Sequence, residues 1–269
     1  MFIDSKNHNN SSRQTIVRPE LFFNIRIIIE RLGIESLRRR RLAKLQNSTA
    51  RKLKLGHIDS MELLELCKPL NISTVFDIGA NVGTWSLLAK AIFPQAEIHA
   101  FEPLDVCQRE LSACLRDIPK FHIHQIALAS KNGLATMHVG NVSDTSSLLP
   151  SVETGGKEPF RRYEQEVRSL DSYALEHALP PAHLLKLDVQ GYELDILKGA
   201  AGALSKTKAV ICEVSFVELY QRQCLFADLV DYMDQKNFSV RAFAQTTPTG
   251  VLLRQTDVLF LRNELAVQC

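Results

Sequence analysis

Apolar residues along this chain follow two regimes that change near residue 59. Before it, Leu21, Ile25, Ile28, Ile29 and Leu32 recur at helical spacing until Gly33 interrupts the stripe. Leu37, Leu42 and Leu45 carry the pattern into a second short helix, whose other faces hold Arg38, Arg39, Arg40, Arg41 and Lys44. Residues 1–14 are rich in Asn and Ser, have little to bury, and read as a disordered tail.

Past residue 59 the period alternates. A helix through Met61, Leu63, Leu64 and Leu66 starts at Asp59 or Ser60 and stops at Pro69. Strand and helix patterns then take turns: strand 74–78, helix 84–93, strand 97–101, helix 104–116 and strand 121–127. A run at 135–139 either extends the sheet or forms a hairpin, and 141–162, with Pro150, Gly155, Gly156 and Pro159, reads as a long loop. Strand 184–189, helix 192–204, strand 209–214, helix 226–235 and strands 238–243 and 258–261 complete the pattern. This is the spacing of βαβ units. It predicts an α/β domain over 59–269, a mostly parallel sheet flanked by helices, preceded by a helical arm over 1–58.

Charge sharpens that division. Residues 1–58 hold 13 Lys and Arg against 4 Asp and Glu, leaving 19 against 26 for the rest, so an arm of +9 precedes a body of −7 although the chain nets only +2. A basic amphipathic arm suits an anionic partner such as a membrane surface, a phosphorylated glycolipid or a nucleic acid, and it suits docking on the acidic body equally. The six cysteines form no CxxC pair and read as buried thiols. No secretory leader is legible, and the longest apolar run near the start, 21–29, is interrupted by Asn24 and Arg26. The expectation is a cytoplasmic protein with no transmembrane segment, peripheral to a membrane if the arm binds one.

In an open parallel sheet, ligands bind beyond the carboxyl ends of the strands. Three polar clusters follow apolar strand runs here. In VFDIGANVGTW, Asp77, Gly79, Asn81 and Gly83 occupy a turn into a helix. The spacing is not the G-x-G-x-x-G of a pyrophosphate cradle. It suits an amino-acid tail, with backbone N–H groups taking a carboxylate and Asp77 drawing an ammonium. In AFEP, Glu102 ends the next strand, where an acidic side chain accepts both hydroxyls of a ribose. In LLKLDVQGYELD, Asp188 emerges at a strand end facing the same cleft, as a general base, a metal ligand or an orienting group. Glu193 reads as a cap for the following helix.

These segments resemble the FkbM family of S-adenosylmethionine-dependent methyltransferases. The likeness spans Ile72 to Glu213 and rests on FDIGANVG, FEP, IALAS at 126–130, TSSLL at 145–149, SLDSY at 169–173 and LLKLDVQGYELDILKG, in that order. It implies a Rossmann-like class I methyltransferase fold, S-adenosyl-L-methionine as cofactor, and O-methylation of a hydroxyl on a sugar, glycolipid or other small natural product. Asp77, Gly79, Asn81, Gly83 and Glu102 carry over as cofactor contacts. Gln190 stands where many members have Glu, which weakens any carboxylate pair with Asp188, and no metal ligands are assigned.

Several residues keep more than one reading. His122 and His124 alternate on one strand face and read as half-buried, hydrogen-bonded side chains in preference to metal ligands. Gln125 and Ala127 stand where an adenine can rest, or simply pack. Ser146 and Ser147 touch a ligand from the loop, or cap it. Two other functions remain in play: a nucleic-acid methyltransferase using the arm, although no N-P-P-Y-like run follows the fourth strand, and a non-catalytic cofactor-binding sensor or scaffold. The acceptor-binding elements are expected in the loop 141–162 and near Glu213 and Glu218.

Overall fold

The structure is a computed structural model that describes residues 60–152, 161–244 and 252–265, together with Ser36, Arg39, Arg40 and Ala43. Those four arm positions are helical and exposed. The remaining arm residues and the tail lie outside the described residues.

Seven strands form the main sheet: β1 (Thr74–Ile78), β2 (Glu97–Phe101), β3 (Phe121–His124), β7 (Leu184–Leu187), β8 (Ala209–Ser215), β9 (Phe238–Phe243) and β10 (Gln255–Arg262). Their order is β3-β2-β1-β7-β8-β10-β9, parallel from β3 to β8, with β10 inserted antiparallel between β8 and β9. The chain thus starts at the centre, winds outward one way, then returns and winds the other. That reversal between β1 and β7 opens the crevice in which doubly wound sheets bind ligands.

Alternation in the buried strands feeds two cores. Val75, Ile98, Leu184 and Ile211 face α1 (Ser60–Leu66) and α2 (Thr84–Ile92), where Met61, Leu64, Trp85 and Leu88 meet them. Phe76, Ile78, Leu185 and Leu187 face the other way, onto α4 (Leu170–Glu176), α5 (Glu193–Lys198), α6 (Ala201–Leu204) and α7 (Phe226–Gln235). Helix α3 (Asp105–Leu115) packs Leu111 and Leu115 against Ala80, Leu87 and Ala100.

Four expectations are corrected. The third strand ends at His124 instead of running to 127, because β3 is the sheet edge and the chain leaves it there. Residues Ala127–Ala129 form β4 of a separate three-stranded sheet, with β5 (Gly133–Val139) and β6 (Arg161–Ser169) in the order β4-β6-β5. The run near 135–139 is β5 of this second sheet, antiparallel to β6, so of its two readings the hairpin holds and the extension of the main sheet does not. The predicted loop after it ends in a strand, β6, where Tyr163, Gln165, Val167 and Ser169 share the less exposed face, too polar a face to signal itself. Finally, the helix expected over 192–204 divides at Gly199 and Ala200, where β4 comes so close that a Cβ on Gly199 would stand 2.3 Å from the Ala129 carbonyl oxygen.

Candidate active site

Register places the chemistry. Ile78 pairs with Phe101 and Leu187, and Leu187 pairs with Cys212. One residue beyond that row stand Gly79, Glu102, Asp188 and Glu213, side by side across four strand ends. They border a cavity of about 600 Å³, closed on its far side by residues 143–148 and by Ile126, Ala127 and Leu128.

The turn after β1 is built for close approach. Gly79 has φ +83, and a Cβ there would sit 1.9 Å from the Asp188 carbonyl oxygen, so only glycine fits. Asn81 also lies in the left-handed region at φ 48. The N–H groups of Gly79 and Ala80 donate to Phe101, that of Gly83 to Ala80, and that of Asn81 to Glu102 Oε2 at 2.8 Å. The expected carboxylate cradle is therefore not these four amides, which are committed to holding the turn. Gly83 stands outside the cavity lining and lets α2 start against Leu111, whose Cδ1 would be 2.8 Å from an added Cβ. Trp85 borders the cavity with a buried indole N–H that has no hydrogen-bond partner among the described residues.

Glu102 is 5% exposed. Its Oε1 accepts from Leu104 N–H and its Oε2 from Asn81 N–H, both at 2.8 Å, which fixes the carboxylate at the cavity wall. Burial pushes its pKa up to about 7 in spite of those two donors. Asp77 lies deeper, accepting from Ser86 Oγ at 2.5 Å, and burial raises it to about 6.

The Asp188 side chain is 29% exposed, against the buried Glu102. Its Oδ2 pairs with Lys186 Nζ at 3.1 Å and its Oδ1 accepts from Gln190 Nε2 at 3.0 Å. Lys186 is buried. Burial opposes its charge, but Asp188, Asp257 and Asp77 outweigh that and hold it firmly protonated. Gln190 bridges two carboxylates, since Nε2 also reaches Glu213 Oε2 at 3.2 Å, while its Oε1 accepts from Tyr220 OH at 2.9 Å. Burial, then the Asp188 charge, raise Glu213 well above the carboxylate range. Glu193 caps the turn, its Oε1 accepting from Val189 and Gly191 N–H.

Of the sequence candidates, Asp77, Gly79, Asn81, Glu102, Ala127 and Asp188 all border the one cavity. Gln125 does not. Its side chain is exposed and donates to Asp105 Oδ1 at 2.6 Å, because the departure from β3 turns Ile126 inward in its place. Ser147 donates to the Gln190 carbonyl and ties the roof down, and Ser146 Oγ accepts from Gly140 N–H. Sequence reasoning missed Lys186, Gln190 as a bridge, Tyr220 and Gln255. One signal was available, a lone lysine inside the apolar LLKL strand.

The donor set fits an adenosyl amino acid. A buried carboxylate faces the cavity beside an apolar slot of Phe101, Leu104, Ile126, Leu128 and Met137, with the orphaned Trp85 N–H near the glycine turn. The family model for the methyltransferase FkbM domain matches residues 77–240, well over half of the chain. The chain belongs to the FkbM methyltransferase family. Relatives include the 2-O-methyltransferase NoeI of Sinorhizobium fredii, 25% identical over 75% of this chain and 86% of the relative. Methyltransferase sdnD of Sordaria araneosa is 33% identical over 46% and 59% of the two chains. The 31-O-demethyl-FK506 methyltransferase FkbM of Streptomyces tacrolimicus is 26% identical over 54% and 66%. As an FkbM-type enzyme the chain is an S-adenosylmethionine-dependent methyltransferase. Among the described residues, no helix is long and apolar enough to cross a membrane.

Proposed function

We propose that this enzyme methylates a hydroxyl oxygen on an uncharged, polyol-like natural product or sugar, with Asp188 as the group that receives or orients the acceptor proton. The observation that carries the reading is the lack of a spare cation in the cavity lining. Asp77, Glu102, Asp144, Asp188 and Glu213 border it, and the one lysine or arginine among the lining residues is Lys186, whose ammonium is already engaged by carboxylates. Such a lining offers hydroxyls several carboxyl partners and leaves no cation for a phosphate, which speaks for a sugar or small molecule and against a nucleic acid. The O-methyltransferase named among the relatives agrees with an oxygen acceptor.

In this reading Glu102 takes the ribose hydroxyls and Asp77, Gly79, Asn81 and Ala127 line the cofactor's remaining length. Bound S-adenosylmethionine supplies an activated methyl group. The chain's own part is to hold the acceptor hydroxyl in line and relieve it of a proton. Lys186 and Gln190 hold the Asp188 carboxylate by one oxygen each and so fix its orientation at the cavity.

The test is Asp188→Asn, which preserves shape. Calorimetry with S-adenosylhomocysteine should give an affinity within about twofold of the parent, while methyl transfer from labelled cofactor, screened over glycans and hydroxylated small molecules, falls roughly 10²–10⁴-fold. Undiminished turnover would remove Asp188 from the reaction. Transfer to RNA in that screen, with none to neutral hydroxyl compounds, would overturn the acceptor class.

A further inference from the structure

At the opposite end of β2, a second constellation has no part in methyl transfer. Glu97 and His99 lie on one face of β2, and His122 is the register partner of His99 on β3. Glu97 Oε1 lies 3.2 Å from His99 Nε2 and 2.9 Å from His122 Nε2. Among the described residues, these are the only three His, Cys, Asp or Glu side chains whose ligand atoms converge this way. We propose that Glu97, His99 and His122 form a binding site for a divalent first-row transition ion, with Zn²⁺ as the occupant, which clamps the edge strand β3 to β2.

The hydrogen bonding around His99 argues for an ion. The ring is 2% exposed, and its Nε2 has no hydrogen-bond partner among the described residues although the Glu97 carboxylate is close by. A buried ring nitrogen without a partner is costly. The two atoms sit close but misaligned for a hydrogen bond, as two ligands of a shared ion do. The two spacings to Glu97 agree, since bonds of about 2.0–2.1 Å at tetrahedral angles hold neighbouring ligand atoms roughly 3.3 Å apart; the His122 ring, stacked on His99 at 4.6 Å and 17°, must turn about its Cβ–Cγ bond to aim its lone pair at the ion. His122 is half exposed and leaves room for water to complete the coordination.

A second layer of contacts orients the ligand. His99 Nδ1 lies 3.0 Å from His124 Nε2, and His124 Nδ1 lies 3.2 Å from Tyr173 OH. That chain engages Nδ1 of His99 and directs Nε2 toward Glu97, the arrangement metal-bound histidines characteristically have. Five residues of strand, roughly 16 Å, separate Glu97 from Glu102, so the ion would be structural.

Full-length protein purified without a polyhistidine tag and stripped with chelator gives the test. One equivalent of Co²⁺ should produce visible d–d bands without thiolate charge-transfer absorption. Saturating Zn²⁺ should raise Tm by about 5–10 °C at a hundredfold excess over Kd. His122→Asn and Glu97→Gln, both at solvent-accessible positions, should each weaken Co²⁺ binding at least tenfold, with S-adenosylhomocysteine affinity unchanged. No saturable Co²⁺ binding, thiolate bands, or bands that persist in both variants would overturn the site.

Discussion

With Glu102 taking the ribose hydroxyls as proposed, its burial should cost affinity in acid. Its pKa stands near 7 against an ordinary 4.5, because desolvation outweighs the two backbone donors. Hydroxyl donors require the ionised form, so below pH 7 the site must release a proton to bind. Affinity for S-adenosylhomocysteine should therefore rise up to about tenfold per pH unit toward neutrality and level off above it. In Glu102→Gln the binding should weaken roughly 10–100-fold and its pH profile should flatten. Calorimetry across about pH 5.5 to 8.5 measures both, and an equally steep profile in the variant would move the proton to Asp77 or Glu193, which burial also raises, to about 6 and 7. The same shifts act on the empty protein with a definite sign. A carboxyl whose folded pKa is raised binds its proton more tightly when folded, so these three groups add stability below about pH 4 that is lost as pH climbs to about 7. Glu102 and Asp188 were legible in sequence as cavity-lining positions because each follows directly on an apolar strand run, and Asp77 because it interrupts one just before a glycine turn. Lys186 left a local trace as the one lysine in an apolar strand, but its proximity to Asp257 depends on β10 being threaded next to β8, a long-range fact that no local pattern carries.

Elements were legible where burial imposes a period and obscure where it does not. β1, β2, β7 and β8 are buried on both faces and read as apolar runs between turns. β5 showed as the run at 135–139, whereas β6 begins where the expected loop ends and holds one fully buried apolar residue, Val167, so no apolar period marks it. The split between α5 and α6 was hidden for a different reason: Leu194, Ile196, Leu197 and Leu204 keep an apolar face across it, and the break answers to β4 coming from the other sheet. Gly199 marks that contact, with φ −86, a value any residue tolerates, so the constraint is steric. Gly199→Ala must push Ala129 and Ser130 away from α5. Overpacking of this kind should cost about 2–3 kcal/mol and lower Tm by roughly 5–10 °C. Because Ala127 and Leu128 on the same strand line the cavity, cofactor affinity should fall together with stability. Thermal unfolding with and without S-adenosylhomocysteine checks both, and a variant as stable as the parent would show that β4 can move freely.

Across the whole molecule charge is divided unevenly. The body carries −7 and concentrates carboxylates at the cavity, whereas residues 1–58 carry +9. Arg39 and Arg40 are helical and exposed, whereas Arg38 and Arg41 lie outside the described residues. An enzyme with an acidic cavity gains nothing from a basic arm in holding a neutral acceptor, but it gains location if that acceptor is presented at an anionic lipid surface. Each basic side chain near such a surface contributes about 1 kcal/mol, so replacing Arg38, Arg39, Arg40 and Arg41 by Ala should weaken binding to vesicles with phosphatidylserine roughly 10²–10³-fold. Cosedimentation should also weaken steeply as salt rises toward about 0.5 M, since screening shortens the reach of these charges to a few ångströms. Affinity for S-adenosylhomocysteine should stay unchanged in the quadruple variant, which separates loss of docking from loss of fold. Equal vesicle binding by parent and variant would mean that the arm serves the body instead, as a basic cover for an acidic surface, and the variant should then lose Tm.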